Sequence, residues 1–375
     1  PMPTSARQNR PLLQKSTANS QLSKRVDDSG RPQDAPFFSE TLSESAATQR
    51  ADVGIGPYKT YAPKGPLGFG AGRRRQTPLN SSGGIHMFLA SPITFPNLGI
   101  EINPSPVAFT VFGKDIYWYG IIIAAGFLLA VFYMLSRAKD FGVTQDDVLD
   151  MILWAGPIGV VCARLYYCIF YWELYADDPI SILYIWEGGL AIYGGIIGGA
   201  ITLLVVAKHK KIPATVLLDV AGMGVIIGQL VGRWGNFMNR EAHGAVTDTF
   251  LKMGLQDVSG VVTYYHPTFL YESVWNLVGF IGLHFFSKKR KFDGEVFLAY
   301  VAWYGLGRVW IEGLRTDSLY LFSTGIRVSQ LVAAVSFLAA GGVLAWVLIK
   351  KKPTPDTLYV NRRRNESQEG EKQAD

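Results

Sequence analysis

Four stretches of this chain concentrate side chains able to bind or transfer charged groups. GRWGNFMNRE (232–241) carries Arg233, Asn236, Asn239, Arg240 and Glu241. HPTFLYES (266–273) carries His266, Tyr271 and Glu272, and CARLYY (162–167) carries Arg164. In YGLGRVWIEGLR (304–315), Tyr304, Arg308, Glu312 and Arg315 recur at i, i+4, i+8 and i+11 and so line one face of a helix. Guanidinium forks bind phosphate or carboxylate through two parallel hydrogen bonds. A carboxylate beside them, Glu241, Glu272 or Glu312, would orient an arginine and limit its charge. Arg308 and Glu312 could form an ion ladder that only holds helices together. The surplus of arginine favours a polar cavity that takes an anionic group.

These stretches sit in an unusually apolar chain. Of 375 residues, 49% are hydrophobic and only 18% charged, too few charges for a soluble protein of this length. Beyond Phe109 the chain is dominated by runs near the ~20 residues that cross a bilayer. Seven are expected, at 117–136, 148–170, 188–207, 213–232, 268–287, 295–312 and 327–349. They are continuous rather than alternating, so the fold class is an all-α polytopic membrane protein.

Charge sorts the ends of these spans. Arg137 and Lys139 follow span 1, KHKK (208–211) span 3, KKRK (288–291) span 5, and KKK (350–352) and RRR (362–364) span 7. The loop at 171–187, after span 2, has no Lys or Arg. Basic residues near helix ends favour the cytoplasm. The N-terminus of the seven-helix domain is therefore expected outside and its C-terminus inside. GRWGNFMNRE then lies at the outer mouth of span 4. Arg233, Arg308 and Arg315, with Arg164 below them, face an anionic lipid head group there, because charges within spans are costly and usually functional.

Residues 1–86 are polar, carry GRRRQ (72–76) on the wrong side for this topology, and have a disorder-like composition. They are expected to be a disordered or non-native extension, dispensable for insertion and activity, with Met87 opening the native sequence. The membrane domain is expected over 87–352 and a disordered cytoplasmic tail over 353–375.

The remaining features are less specific. EGGLAIYGGIIGGA (187–200) holds Gly194/Gly198 and Gly195/Gly199 at a spacing that lets helices approach closely. Cys162 and Cys168 are expected to be small buried hydrophobes. His243 and His266 are the outer histidines, too few for a metal site without Cys partners or an HExxH pattern. No metal and no cofactor are expected. A transporter would show internal repeats and interrupted helices. An aspartic peptidase of the membrane would pair aspartates from adjacent spans, and Asp219 has no such partner in the sequence.

GRWGNFMNREAHG resembles the signature of the prolipoprotein diacylglyceryl transferases. WYG (118–120), WEGGLAIYGG (186–195), HPTFLYES and YGLGRVWIEGLRTDS also match that family, in the same order. The resemblance covers about 90–352. It implies seven spans and a bacterial cytoplasmic membrane enzyme with its site toward the outer face. It implies transfer of diacylglycerol from phosphatidylglycerol to the lipobox Cys thiol of a prolipoprotein signal peptide, with release of glycerol phosphate. Membrane lipid is an expected partner; nucleic acid is not. Functional positions carried over by the motifs are Arg233, Arg308, Asn236, Asn239, Glu241, Tyr119, His266, Tyr304, Glu312 and Arg315. On this reading Arg233 and Arg308 hold the phosphate, Asn236 and Asn239 shape the head-group pocket, and Glu241 and Glu312 orient arginines. Many family members place a His in span 3 where this chain has Tyr193. His266 and Tyr193 are the candidates for proton handling, and imidazole, titrating near neutrality, suits the role better.

Overall fold

The computed structural model describes residues 92–257, 259–316 and 326–374; the expected extension at 1–86 lies outside them. Each expected apolar run is a helix: α1 Trp118–Arg137, α2 Gln145–Phe170, α3 Ile192–Lys210, α4 Ala214–Met238, α5 Thr268–Ser287, α6 Glu295–Leu314 and α7 Val328–Trp346. A final helix, α8, spans Tyr359–Ala374 within the tail expected to be disordered. Its first turn is docked, with the Tyr359 amide donating to Asp293 Oδ2 at 2.9 Å and Leu358 buried.

Among the described residues, five segments are long and apolar enough to cross a membrane: Trp118–Phe141, Gln145–Phe170, Ile192–Lys210, Ala214–Met238 and Val328–Lys351. Helices α5 and α6 fall short because they carry polar groups in their length: Glu272, Asn276 and His284 in α5, and Glu295, Arg308 and Glu312 in α6. The burial pattern is inverted relative to a soluble protein. Leu128, Phe132, Leu153, Ile169 and Leu338 are exposed, while Arg164, Asp219, Glu272, Asn276 and Glu312 are buried. An apolar exterior with polar groups turned inward is what lipid demands.

The all-α expectation needs one correction, a small amount of sheet. Strands β1 (Ile93–Phe95), β2 (Ile100–Ile102), β5 (Met253–Gln256) and β6 (Val262–Tyr265) form an antiparallel sheet in the order β2-β1-β5-β6. Strands β3 (Val107–Val111) and β4 (Lys114–Tyr117) form a hairpin whose turn, Phe112-Gly113, is left-handed at both positions, the conformation a two-residue hairpin loop favours. These strands are three to five residues long, too short to register as alternation in an apolar sequence. The four-stranded sheet packs on one end of the bundle. Ile93, Phe95, Met253 and Leu255 form a cluster with Phe237 at the end of α4 and Phe269 at the start of α5.

The opposite end is fixed by capping. Asp219 of α4 accepts from the Gly294 and Phe297 amides at 2.8 and 2.7 Å, satisfying orphan donors at the start of α6. Thr144 and Asp147 form a capping box on α2, and Lys210 at the end of α3 reaches Asp147 and Asp150 at 2.9 and 2.5 Å. Of the glycine pairs in α3, Gly194/Gly198 packs on α2. A Cβ on Gly194 would meet the Cys162 carbonyl oxygen at 2.4 Å, and one on Gly198 would meet the Cys162 Cβ at 2.7 Å.

Helices α5 and α6 are joined by a reciprocal contact. Trp275 Nε1 donates to the Trp303 carbonyl and Trp303 Nε1 to the Trp275 carbonyl, both at 3.0 Å, and the rings stack with centroids 4.3 Å apart. Each indole lies over a glycine of the other helix. A Cβ on Gly307 would stand 2.2 Å from Trp275 Nε1, and one on Gly279 would stand 2.2 Å from Trp303 Nε1. Both indoles are held by their hydrogen bonds and their stack, so Gly307→Ala should destabilise by about 1–3 kcal/mol, the usual cost of overpacking. A lowered thermal midpoint in detergent checks this, and an unchanged midpoint contradicts the lock.

Candidate active site

The site end of the bundle is where α4 and α6 finish, α5 begins, and the sheet packs. Glu272 sits in the first turn and a half of α5 and is only 2% exposed. Its carboxylate takes an arginine on each oxygen: Arg233 of α4 at 2.7 Å and Arg308 of α6 at 3.0 Å. Arg308 also reaches Glu312, one turn on, at 2.6 Å. Three helices therefore meet through one buried carboxylate. A buried charge in this position is tolerable only because it is paired on both sides.

The signature segment extends the network. Arg233 Nη1 donates to Asn236 Oδ1 at 3.2 Å. Asn236 Nδ2 and Asn239 Nδ2 both donate to Glu241 Oε1, at 2.9 and 3.2 Å. The chain reverses there with Arg240 and Ala242 at φ of 55°, a left-handed conformation uncommon for residues with a side chain. The turn folds Glu241 back beneath the two asparagines. Arg240, itself buried, ties the turn to the segment before β3 through the Pro104 carbonyl at 3.2 Å and Asn103 Oδ1 at 3.4 Å. Tyr119, in the first turn of α1, lies on the signature glycine: a Cβ on Gly235 would stand 2.8 Å from its ring. It is close enough to Glu241 and Arg233 to feel both charges.

Residues 106–346 match the family described as prolipoprotein diacylglyceryl transferase. The chain belongs to this family. It is 47% identical over 267 residues to the phosphatidylglycerol–prolipoprotein diacylglyceryl transferase of Enterococcus faecalis, covering 68% of this chain and 94% of that one. It is 44% identical over 251 residues to the protein of the same name from Lactiplantibacillus plantarum, covering 64% and 89%. The one from Lysinibacillus sphaericus is 40% identical over 263 residues, covering 68% and 95%.

Within this diacylglyceryl transferase fold, the sequence-predicted residues separate into those gathered and those not. Arg233, Asn236, Asn239, Glu241, Arg308 and Glu312 form the network, with Tyr119 against it. Tyr304 stands one turn before Arg308 on the same face of α6. Arg315 leaves the helix as its extended C-cap and bridges to Gly244 of the cap, near enough for its charge to act on Glu272. His266 is strand-paired to the same segment: its amide donates to the Ala245 carbonyl at 3.1 Å, and its carbonyl accepts from the Gly244 amide at 2.9 Å. Its Nδ1 lies 3.4 Å from the Tyr271 hydroxyl. Burial lowers its pKa below the ordinary imidazole value.

Two expected residues lie elsewhere. Tyr193 stands on α3 with its ring 6.5 Å from that of Tyr166 on α2, and no hydrogen bond joins it to the network among the described residues. Arg164 is turned to the loop after α2. Its guanidinium donates to the carbonyls of Ser181, Ile182 and Gly188 at 2.7, 2.8 and 2.5 Å, and its carbon lies 5.0 Å over the Tyr175 ring. Its planar fork is taken up by those backbone carbonyls.

Two residues beyond the expected set belong to the site. Glu272 is its centre, although the sequence offers it only as one carboxylate of three. Arg327, at the head of α7, donates to the Glu312 carbonyl and brings a fourth helix to the network. An arginine at the start of a long apolar span, on the end expected to be outside, is the signal that marks it.

Arg164→Lys should therefore lower the thermal midpoint, since an ammonium loses the fork that holds the 181–189 loop, while the apparent KM for anionic lipid stays at the wild-type value. A raised KM with unchanged stability would return Arg164 to the binding site.

Proposed function

We infer that the protein transfers the diacylglyceryl group of phosphatidylglycerol to a cysteine thiol of a prolipoprotein, the first step of bacterial lipoprotein maturation, releasing glycerol phosphate. The observation that carries this for the chain's own residues is the convergence of Arg233 and Arg308 on Glu272 at one end of an apolar bundle. We further propose that all seven helices α1–α7 cross the bacterial cytoplasmic membrane. The segments after α1, α3, α5 and α7 are basic and face the cytoplasm. The site then lies toward the outer face, where a lipobox cysteine behind a signal peptide arrives. The seven-helix domain runs from about residue 87 to 352, with 1–86 outside it and 353–375 on the cytoplasmic side.

The sulfur attacks the glycerol carbon that bears the phosphate. An S–C bond forms as the C–O bond breaks, and the electron pair stays on the departing phosphate oxygen. The phosphate gains one negative charge, and arginines placed in advance where that charge appears stabilise the transition state. Glu272 and Glu312 hold the two guanidinium groups in orientation and keep the empty site from carrying unpaired positive charge. Asn236 and Asn239, positioned by Glu241, offer amides to the head-group glycerol, and Tyr119 closes the side of the pocket next to α1. Tyr304 and Arg315 complete its lining.

A thiol has an ordinary pKa near ~8.5 and attacks as the thiolate. His266, whose pKa burial lowers, is the proton acceptor on the outer side. Tyr193, its ring 6.5 Å from that of Tyr166, acts by hydrogen bonding at most.

Purified protein in phosphatidylglycerol vesicles should add the mass of one diacylglyceryl group to a lipobox peptide, and none in vesicles of a neutral lipid alone. Arg233→Lys should slow this transfer about as much as Arg233→Ala, by ~10²-fold, because Lys keeps the charge and loses the fork that reaches Glu272 and Asn236 together. A Lys variant with most of the wild-type rate would reduce Arg233 to a point charge.

A further inference from the structure

Beneath the arginine–carboxylate layer lies a second polar layer. Asn276 of α5 is 0% exposed, and neither its Oδ1 nor its Nδ2 has a hydrogen-bond partner. It stands one helical turn beyond Glu272 on the same face. Gln229 precedes Arg233 by one turn on α4, and Tyr304 precedes Arg308 by one turn on α6. Because α4 and α6 run toward the site end and α5 runs away from it, all three side chains belong to one level, about 6 Å deeper into the bundle. Tyr300, one turn deeper still on α6, donates its hydroxyl to Gln229 Oε1 at 3.3 Å. Gln229 and Tyr304 are only half-buried, as are Arg233 and Arg308.

A fully buried amide without partners is rare, and native structures pair such groups with protein, water or a ligand. At membrane depth the cost of leaving it unpaired is greater still. The transferase reading, on which this inference rests, specifies what lies at that level. With the phosphate at the arginines, the next polar groups of a diacylglycerophospholipid are its ester carbonyls, a few bonds closer to the acyl chains. A carbonyl accepts from an amide N–H.

We propose that Asn276 donates through Nδ2 to an ester carbonyl of the lipid, with Gln229 and Tyr304 lining the same level, so that this layer recognises the diacyl backbone while the arginines hold the phosphate. Asn276 is a specificity-determining residue on this view and takes no part in bond breaking. The bond that breaks is at the phosphate-bearing carbon, so replacing both ester links by ethers leaves the reacting centre unchanged while removing the carbonyls.

The test measures kcat/KM for transfer to one lipobox peptide from diacyl and from dialkyl-ether phosphatidylglycerol, in the wild type and in Asn276→Leu. The wild type should prefer the diacyl lipid by about 3–10-fold, the range of one net hydrogen bond. In Asn276→Leu that preference should fall to about onefold, with most of the loss in the diacyl reaction. The thermal midpoint of the lipid-free variant should not fall, since Leu removes an unpaired amide from an apolar interior. Equal preference ratios in the two proteins would overturn the proposal and assign Asn276 to ordered water. A large fall in midpoint would overturn it as well, by showing that the amide has a structural partner. A wild type that transfers nothing from the diacyl lipid would overturn the transferase reading itself, and this inference with it.

Discussion

One buried carboxylate sets the arrangement of the site. Glu272 forms ion pairs with Arg233 and Arg308 from helices on either side, at 2.7 and 3.0 Å, while almost fully withdrawn from solvent. Removing either arginine takes one of its two ion-pair partners from Glu272; removing Glu272 takes a carboxylate from both arginines. The geometry is therefore over-determined by electrostatics, and two guanidinium groups that would otherwise repel are held side by side. That is the condition for a preorganised anion site: positive groups close together and fixed before the substrate's charge develops.

The rest of the bundle serves this arrangement. Apolar contact drives little helix association in lipid, so the helices must be positioned by close packing and by polar contacts. The paired indoles of Trp275 and Trp303 over Gly307 and Gly279 set α5 against α6 within two turns of Glu272. At the far end, Asp219 caps α6 and links it to α4. The sheet and the left-handed turn at Arg240 and Ala242 close the near end, anchoring Glu241 under Asn236 and Asn239.

Hydrophobic length alone makes the seven helices legible, and their edges are read well where punctuation is local. The run at 268–287 coincides with α5 because Pro267 precedes it. The run at 188–207 is displaced from α3 because Gly188 and Gly189, apolar by composition, belong to a turn at positive φ beside the Arg164 clamp. The start of α2 is missed by three residues because its capping box is polar. The short strands carry no period long enough to see. In the site, the four-residue spacing puts Tyr304, Arg308 and Glu312 on one face of α6, since it is a property of one helix. Which carboxylate closes the network, and that Arg164 faces a loop instead, depend on contacts between helices distant in sequence. No local pattern encodes them.

The most direct test of the Glu272 network is a double-mutant cycle on unfolding free energy in detergent micelles, using Glu272→Gln, Arg308→Gln and the pair. Each single change removes a counter-charge from the network and should cost on the order of 3–5 kcal/mol. The double variant should fall short of the sum of the two by at least ~1 kcal/mol, because the second change acts on a pair the first has already broken. Costs that add to within ~0.5 kcal/mol would show that Glu272 and Arg308 do not depend on one another, and would contradict the network on which the site is built.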